Sequence, residues 1–118
     1  MTGPGNDCIF CKIVRKEIHV QLEYEDSAVA AFKDKNPQAS VHILIVPKAH
    51  LGGVNDIGEN DTALLGQMLI TAKNMAAKFN IKDSGYRLVM NCGRNAGQAV
   101  DHLHLHLLGG RSFGWPPG

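Results

Sequence analysis

Residues 102–107 alternate strictly between histidine and leucine, inside the stretch Val100-Asp101-His102-Leu103-His104-Leu105-His106-Leu107-Leu108. An extended strand sends successive side chains to opposite faces, so Leu103, Leu105 and Leu107 share one face and His102, His104 and His106 the other. Neighbouring imidazoles on that face stand about 7 Å apart. Serine, threonine or lysine would solvate such a face without titrating near neutrality, so three of the chain's six histidines in this row point to chemistry. Imidazole rows bind metals or serve in nucleophilic and acid–base catalysis. Placing all three on one ion strains a strand. Just upstream, Asn91, Gly93, Gly97 and Gln98 belong to a glycine-rich segment whose backbone amides can aim at phosphate oxygens. Oxyanion donors beside a neutral imidazole suit phosphoryl or nucleotidyl transfer.

A second constellation is Cys8-x-x-Cys11, the spacing of half a tetrahedral metal site. The same spacing serves redox chemistry in a thioredoxin-like context, which the surrounding sequence lacks. Taken singly, other candidates have plainer readings: His42 as a satisfied core imidazole, Asp34 as a turn acid before Asn36-Pro37, Cys92 as a buried strand residue.

These groups need elements to hold them. Ile9, Phe10 and Ile13 recur at near-helical spacing and predict a short N-terminal helix. Gln21–Glu25 and Val29–Phe32 read as strands around a turn at Asp26-Ser27. Val41–Val46 is apolar, rich in β-branched residues and stopped by Pro47, a buried strand. Lys48–Glu59 is a loop. Asn60–Phe79 is the one long helix, its stripe formed by Leu64, Leu65, Met68, Leu69, Ala72, Met75, Ala76 and Phe79. Polar residues from Glu59 to Thr62 suit its N-terminus. Tyr86–Cys92 and Asp101–Leu108 complete the strands. The expected fold is α+β: an about five-stranded, mainly antiparallel sheet with the long helix on one face and the short helix at the N-terminus.

At 118 residues there is room for one domain, expected over 8–118 behind a disordered tail at 1–7. Twelve basic residues balance eleven acidic ones, which argues against nucleic-acid binding through a basic surface. No apolar run approaches the ~20 residues of a membrane span. The odd count of three cysteines does not make a disulfide framework, so a reducing compartment is expected, cytoplasmic or also nuclear.

The segments 8–13, 31–34, 37–39, 42–50 and 97–111 and the ending Trp115-Pro116-Pro117-Gly118 together resemble the histidine-triad (HIT) superfamily. They resemble its branch of small dimeric nucleotide-binding proteins that hydrolyse nucleoside phosphoramidates. His-x-His-x-His preceded by Gly97-Gln98, with Val46-Pro47-Lys48-Ala49-His50 upstream, makes the pattern specific. The ending favours this branch over the dinucleoside-polyphosphate hydrolase and uridylyltransferase branches.

The resemblance implies a purine nucleoside phosphoramidate hydrolase that releases AMP or GMP through a nucleotidyl-histidine on His104. His106 would contact the phosphate or leaving group. His42 and His102 would form a relay that fixes the tautomer of His104. Ile9, Phe10, Ile13, Phe32 and Leu44 would line the base slot, with Lys35 where an apolar residue is common. Asp34 would hold the ribose hydroxyls. Asn91, Gly97, Gln98 and Ala99, with His104 and His106, would face the phosphate. Ala99 stands where the family usually has serine, and a lost oxyanion donor can cost about 2.7–4 kcal/mol.

The resemblance also implies structural zinc on Cys8, Cys11, His50 and His102, as in some microbial members. It implies a homodimer too, with the long helices packed together and the 111–118 tail across the partner. The competing reading is a nucleotide-binding scaffold whose hydrolysis is incidental. A purely structural zinc domain fits less well, because it leaves His104 and the Gly97-Gln98 loop without a role.

Overall fold

The computed structural model describes residues 8–118, so the expected disordered tail at 1–7 lies outside the described residues. In chain order the elements are α1 (Ile9–Val14), β1 (Leu22–Glu25), β2 (Val29–Lys33), β3 (Val41–Pro47), α2 (Thr62–Lys78), β4 (Tyr86–Val89) and β5 (Leu105–Gly109). The strands form one five-stranded sheet in the order β1-β2-β3-β5-β4. Every neighbouring pair runs antiparallel. The expected α+β architecture is the one observed.

Strand periodicity divides the molecule into two cores. Val29 and Ala31 of β2, Ile43 and Ile45 of β3, and Leu103, Leu105 and Leu107 point to one face. There they pack with Met68, Ala72, Met75 and Ala76 of α2. The alternate residues Ala30, Phe32, Leu44 and Val46 point to the other face and pack with Phe10 and Ile13 of α1. His42 and His106 share this second face with Leu44, which lies opposite His106 in the β3–β5 ladder. Each face is therefore covered by one helix, and the histidines lie beneath the short one.

Most element ends shift by one or two residues from the sequence expectation, and two strand ends and one helix position shift further. Strand β4 ends at Val89, which leaves Asn91 and Cys92, both half-buried, in the following connection. Strand β5 begins at Leu105, because the chain before it leaves the ladder: the Leu103 amide donates to the Leu51 carbonyl at 2.6 Å. The His/Leu alternation persists there: Leu103 joins the α2-side core, whereas the rings of His102 and His104 meet Phe10 of α1. Finally, Leu69 is 53 % exposed and so falls outside the helix stripe. It sits about 100° around the helix from Met68, and a single sheet covers a narrower arc than the sequence pattern offered. Thr71 is buried instead, its hydroxyl donating to the Gln67 carbonyl at 2.8 Å.

Candidate functional site

His104 is 6 % exposed, and its Nδ1 lies 2.7 Å from the carbonyl oxygen of His102. A carbonyl oxygen can only accept, so Nδ1 carries the proton and Nε2 carries the lone pair. The Phe10 ring meets His104 edge-on with centroids 5.2 Å apart, and the centroid of the His106 ring lies 5.0 Å from that of His104.

A chain of bonds sets the polarity of His106. The Gln38 backbone amide donates to Nδ1 of His42 at 3.0 Å. That nitrogen must accept, so the His42 proton is on Nε2, which faces Nδ1 of His106 at 2.9 Å. His106 accepts there and keeps its own proton on Nε2. The result is two neighbouring rings of opposite polarity: His104 with a bare Nε2, His106 with an Nε2–H.

Both relay rings are held neutral. Burial lowers the His42 pKa, against the pull of Asp34, whose Oδ2 is 3.4 Å from Nε2. Burial, then repulsion from a charged His104 or His42, brings His106 down to about 4. Asp34, His42 and His106 also lie close enough together to suggest a metal site. The Gln38 amide argues against it: a neutral His42 that accepts at Nδ1 has no lone pair at Nε2 to give a cation.

Here the relay differs from the sequence expectation. His42 pairs with His106 and not with His102. The tautomer of His104 is fixed by a backbone carbonyl, which has no side-chain signature in the sequence. His102 is turned the opposite way, its Nε2 donating to the Pro47 carbonyl at 2.9 Å. Its Nδ1 therefore offers a lone pair to the cysteines, 3.2 Å from Cys8 Sγ and 3.6 Å from Cys11 Sγ. Burial lowers the His102 pKa to about 4, so this ring too stays neutral.

His50 Nδ1 lies 3.3 Å from Cys11 Sγ, and the four donor atoms of Cys8, Cys11, His50 and His102 all fall within 4.8 Å of one another. Tetrahedral zinc with its usual bonds to sulfur and nitrogen has edges of about 3.3–3.8 Å. The three sulfur–nitrogen separations of 3.2, 3.3 and 3.6 Å lie close to those edges, and His102 already presents the tautomer a ligand needs, with its other nitrogen tied to a carbonyl. Burial, and the neighbouring Cys8 thiol, push Cys11 up to about 11. A divalent cation is the charge that would hold the pair as thiolates. The residues present fit such an ion.

The remaining expected site residues divide. Phe10, Ile13, Phe32 and Leu44 come together in the apolar cluster under α1. Ile9 points outward at 37 % exposure, and Lys35 is exposed in the turn after β2, so neither joins that cluster. In the glycine-rich loop, Gly93 (φ 85°) and Gly97 (φ 83°) bracket a short 3-10 turn at Arg94–Ala96. The amides of Gly97 and Gln98 donate to the carbonyls of Arg94 and Gly93. The Gln98 side chain accepts from the Gly93 amide and donates to the carbonyls of Gly52 and Val100. Gln98 thus braces two loops together, and these groups shape the loop where the sequence suggested phosphate donors. The Ala99 amide takes no part in these bonds.

Comparison with known proteins agrees with this architecture. A HIT domain family model matches residues 15–113. A HIT-like protein of Synechocystis is 53 % identical over 114 residues, 97 % of this chain and 99 % of that one. The purine nucleoside phosphoramidase of Escherichia coli K12 is 45 % identical over 110 residues, 93 % of this chain and 92 % of the enzyme. Among solved structures, a HIT family hydrolase from Legionella pneumophila superposes with a TM-score of 0.93 at 47 % identity, covering 95 % of this chain and 100 % of its own. A chain with this fold, this histidine row and these relatives belongs to the HIT family.

Proposed function

We propose that the protein is a purine nucleoside phosphoramidate hydrolase working through a nucleotidyl-histidine on His104. The lone pair of His104 Nε2 attacks the α-phosphorus, and the bond from phosphorus to the substrate nitrogen breaks. The departing amine takes a proton from the His106 side, where Nε2–H faces the reacting group. Water then cleaves the histidine–phosphorus bond, releases the nucleoside 5′-monophosphate and restores both rings. The observation that carries the reading is the opposite polarity of these two adjacent rings. The E. coli relative named as a purine nucleoside phosphoramidase supports it. Phe10, Ile13, Phe32 and Leu44 are the proposed apolar slot for the base. Asp34 is the proposed partner of the ribose hydroxyls, its Oδ1 meanwhile accepting from the Asn36 amide at 2.8 Å. Ala99 leaves the phosphate one hydroxyl donor short, which favours a nucleotide-binding scaffold as the second reading.

Zinc is the ion we propose for Cys8, Cys11, His50 and His102, since two thiolates and two imidazoles in a closed set suit it. Bound there, it would cross-link the start of α1 to the segments just after β3 and just before β5. A homodimer is also proposed. Leu69 and Ile70 on the outer face of α2 are 53 % and 51 % exposed, Leu88 on the edge strand β4 is 37 % exposed and Trp115 is 85 % exposed. A second copy would cover this apolar surface and the open edge of β4.

His104→Ala should lower the hydrolysis of a fluorogenic adenosine phosphoramidate by about 10⁴-fold or more while nucleotide binding persists. Equal turnover by the two proteins would leave the scaffold reading. In the wild type, the His106 ring should stay neutral by ¹⁵N NMR from about pH 8 down to about pH 5 and take up its proton near 4. The sign follows from the lowered pKa: the neutral form is the one populated above it. A midpoint near pH 6.5 for that ring would contradict the buried relay. Protein purified without added metal should carry about one zinc per chain by elemental analysis, and chelation should lower the melting temperature by about 10 °C. Chelation without any change in melting would refute the structural role. Sedimentation should give a dimer at micromolar concentration, and a monomer there would overturn the assembly.

A further inference from the structure

Strand β5 ends at Gly109, and the chain turns at Gly110 with φ 88° against Ser40. Immediately afterwards Arg111 reaches back across the turn that follows β2. Its Nε donates to the carbonyl oxygen of Gln38 at 3.0 Å, and Nη1 donates to the carbonyl of Ser112 at 3.1 Å. The guanidinium lies over the Phe113 ring, 4.2 Å from its centroid, which fixes the direction of the fork.

Gln38 is the residue whose amide sets the tautomer of His42. It is exposed, follows Pro37, and sits in a connection without regular structure. The Asp34 amide closes the start of that connection on the His42 carbonyl at 2.9 Å and the Asn36 amide donates to Asp34 Oδ1 at 2.8 Å, but around Gln38 the further bonds are local or long: Gln38 Nε2 to the Asn36 carbonyl at 3.1 Å, and Ser40 Oγ to the Gly109 carbonyl at 3.5 Å. Arg111 contributes the charged donor that fixes the main chain of Gln38 from outside the turn.

We propose that Arg111 is a positioning residue for the proton relay: clamping the Gln38 carbonyl keeps the Gln38 amide on Nδ1 of His42. The inference rests on the catalytic reading given above. If the amide drifts, nothing obliges His42 Nδ1 to accept. A His42 protonated at Nδ1 would turn its Nε2 lone pair toward His106. His106 would then have to carry its proton on Nδ1, leaving Nε2 bare and the leaving amine without a donor. Asp34 Oδ2, at 3.4 Å from His42 Nε2, still favours the productive tautomer, so losing Arg111 weakens the relay without abolishing it.

Arg87 supplies the control. It also holds the C-terminal segment, donating from Nη2 to the Gly114 carbonyl at 2.8 Å and lying 5.1 Å from the Phe113 centroid. Its bonding does not involve Gln38.

The experiment measures the ring nitrogen signals of His42 and His106 by ¹⁵N NMR in the full-length wild type, R111M, R111K and R87M. Thermal melts check that each variant is folded. In R111M both rings should move toward the tautomeric average, and kcat for an adenosine phosphoramidate should fall about tenfold with KM unchanged within about twofold. R111K, which keeps a cationic donor, should recover part of both effects. R87M should match the wild type. Wild-type ring signals in R111M would overturn the proposal, and so would equal shifts in R87M, which would assign the effect to the C-terminal segment as a whole. If the signals move in R111M but the wild type does not cleave phosphoramidates, the proposed activity fails and the clamp stands.

Discussion

A neutral imidazole has one donor and one acceptor, and a backbone group cannot exchange the two. Main-chain partners therefore decide what each histidine of this site presents to a ligand. The His102 carbonyl settles His104, the Gln38 amide settles His42 and through it His106, and the Pro47 carbonyl settles His102. No buried side-chain nitrogen or oxygen among the described residues lacks a partner. Such closure matters because an unpaired polar group costs most where water is excluded. The chemistry proposed for the row depends on these three main-chain contacts more than on the number of histidines.

The two-faced strand that carries the row explains the rest of the architecture. Leu103, Leu105 and Leu107 are each at most 4 % exposed and anchor the strand on the α2 side. With that face fixed, the histidine face has one register open to it, since a slip of one residue would bring imidazoles into the leucine core. Helix α1 has only six residues, too few to be stable alone, and it covers the histidines. Phe10 and Ile13 hold it through the apolar cluster, and Cys8 and Cys11 hold it at the metal-type cluster.

The sequence was legible where a side chain declares its own geometry. Alternation places the histidines and leucines on opposite faces even where the ladder stops, and the Cys8–Cys11 spacing marks half of the cluster, the other half, His50 and His102, being named only by the family resemblance. It was illegible where the main chain acts. Neither the Pro47 carbonyl nor the Gln38 amide has a residue-type signature, so the resemblance pairs His42 with His102 where the structure pairs it with His106. The bracing role of Gln98 is illegible for a related reason, because an amide side chain beside glycines serves a loop as readily as a phosphate. Leu69 misled because apolar periodicity does not reveal how wide an arc the partner surface covers, or whether a second surface exists.

His102 joins the two halves of the site by using separate atoms for each. Its side chain belongs to the cysteine cluster and to Pro47, while its carbonyl belongs to His104. The rigidity of one therefore passes to the other through a single residue, the cysteines bonding to the His102 ring and the His104 ring to the His102 carbonyl. Phe10 gives a second path, since it follows Cys8 by two positions and meets the rings of both His102 and His104 edge-on. A change at the sulfurs can alter the aim of His104 by tilting the main chain of residue 102 or by shifting the Phe10 ring. The first path acts on the His104 hydrogen bond and hence on its tautomer, whereas the second acts on ring orientation alone. Substituting Phe10 leaves the first path in place, so the tautomer should follow the cysteine cluster even when the aromatic contact is gone.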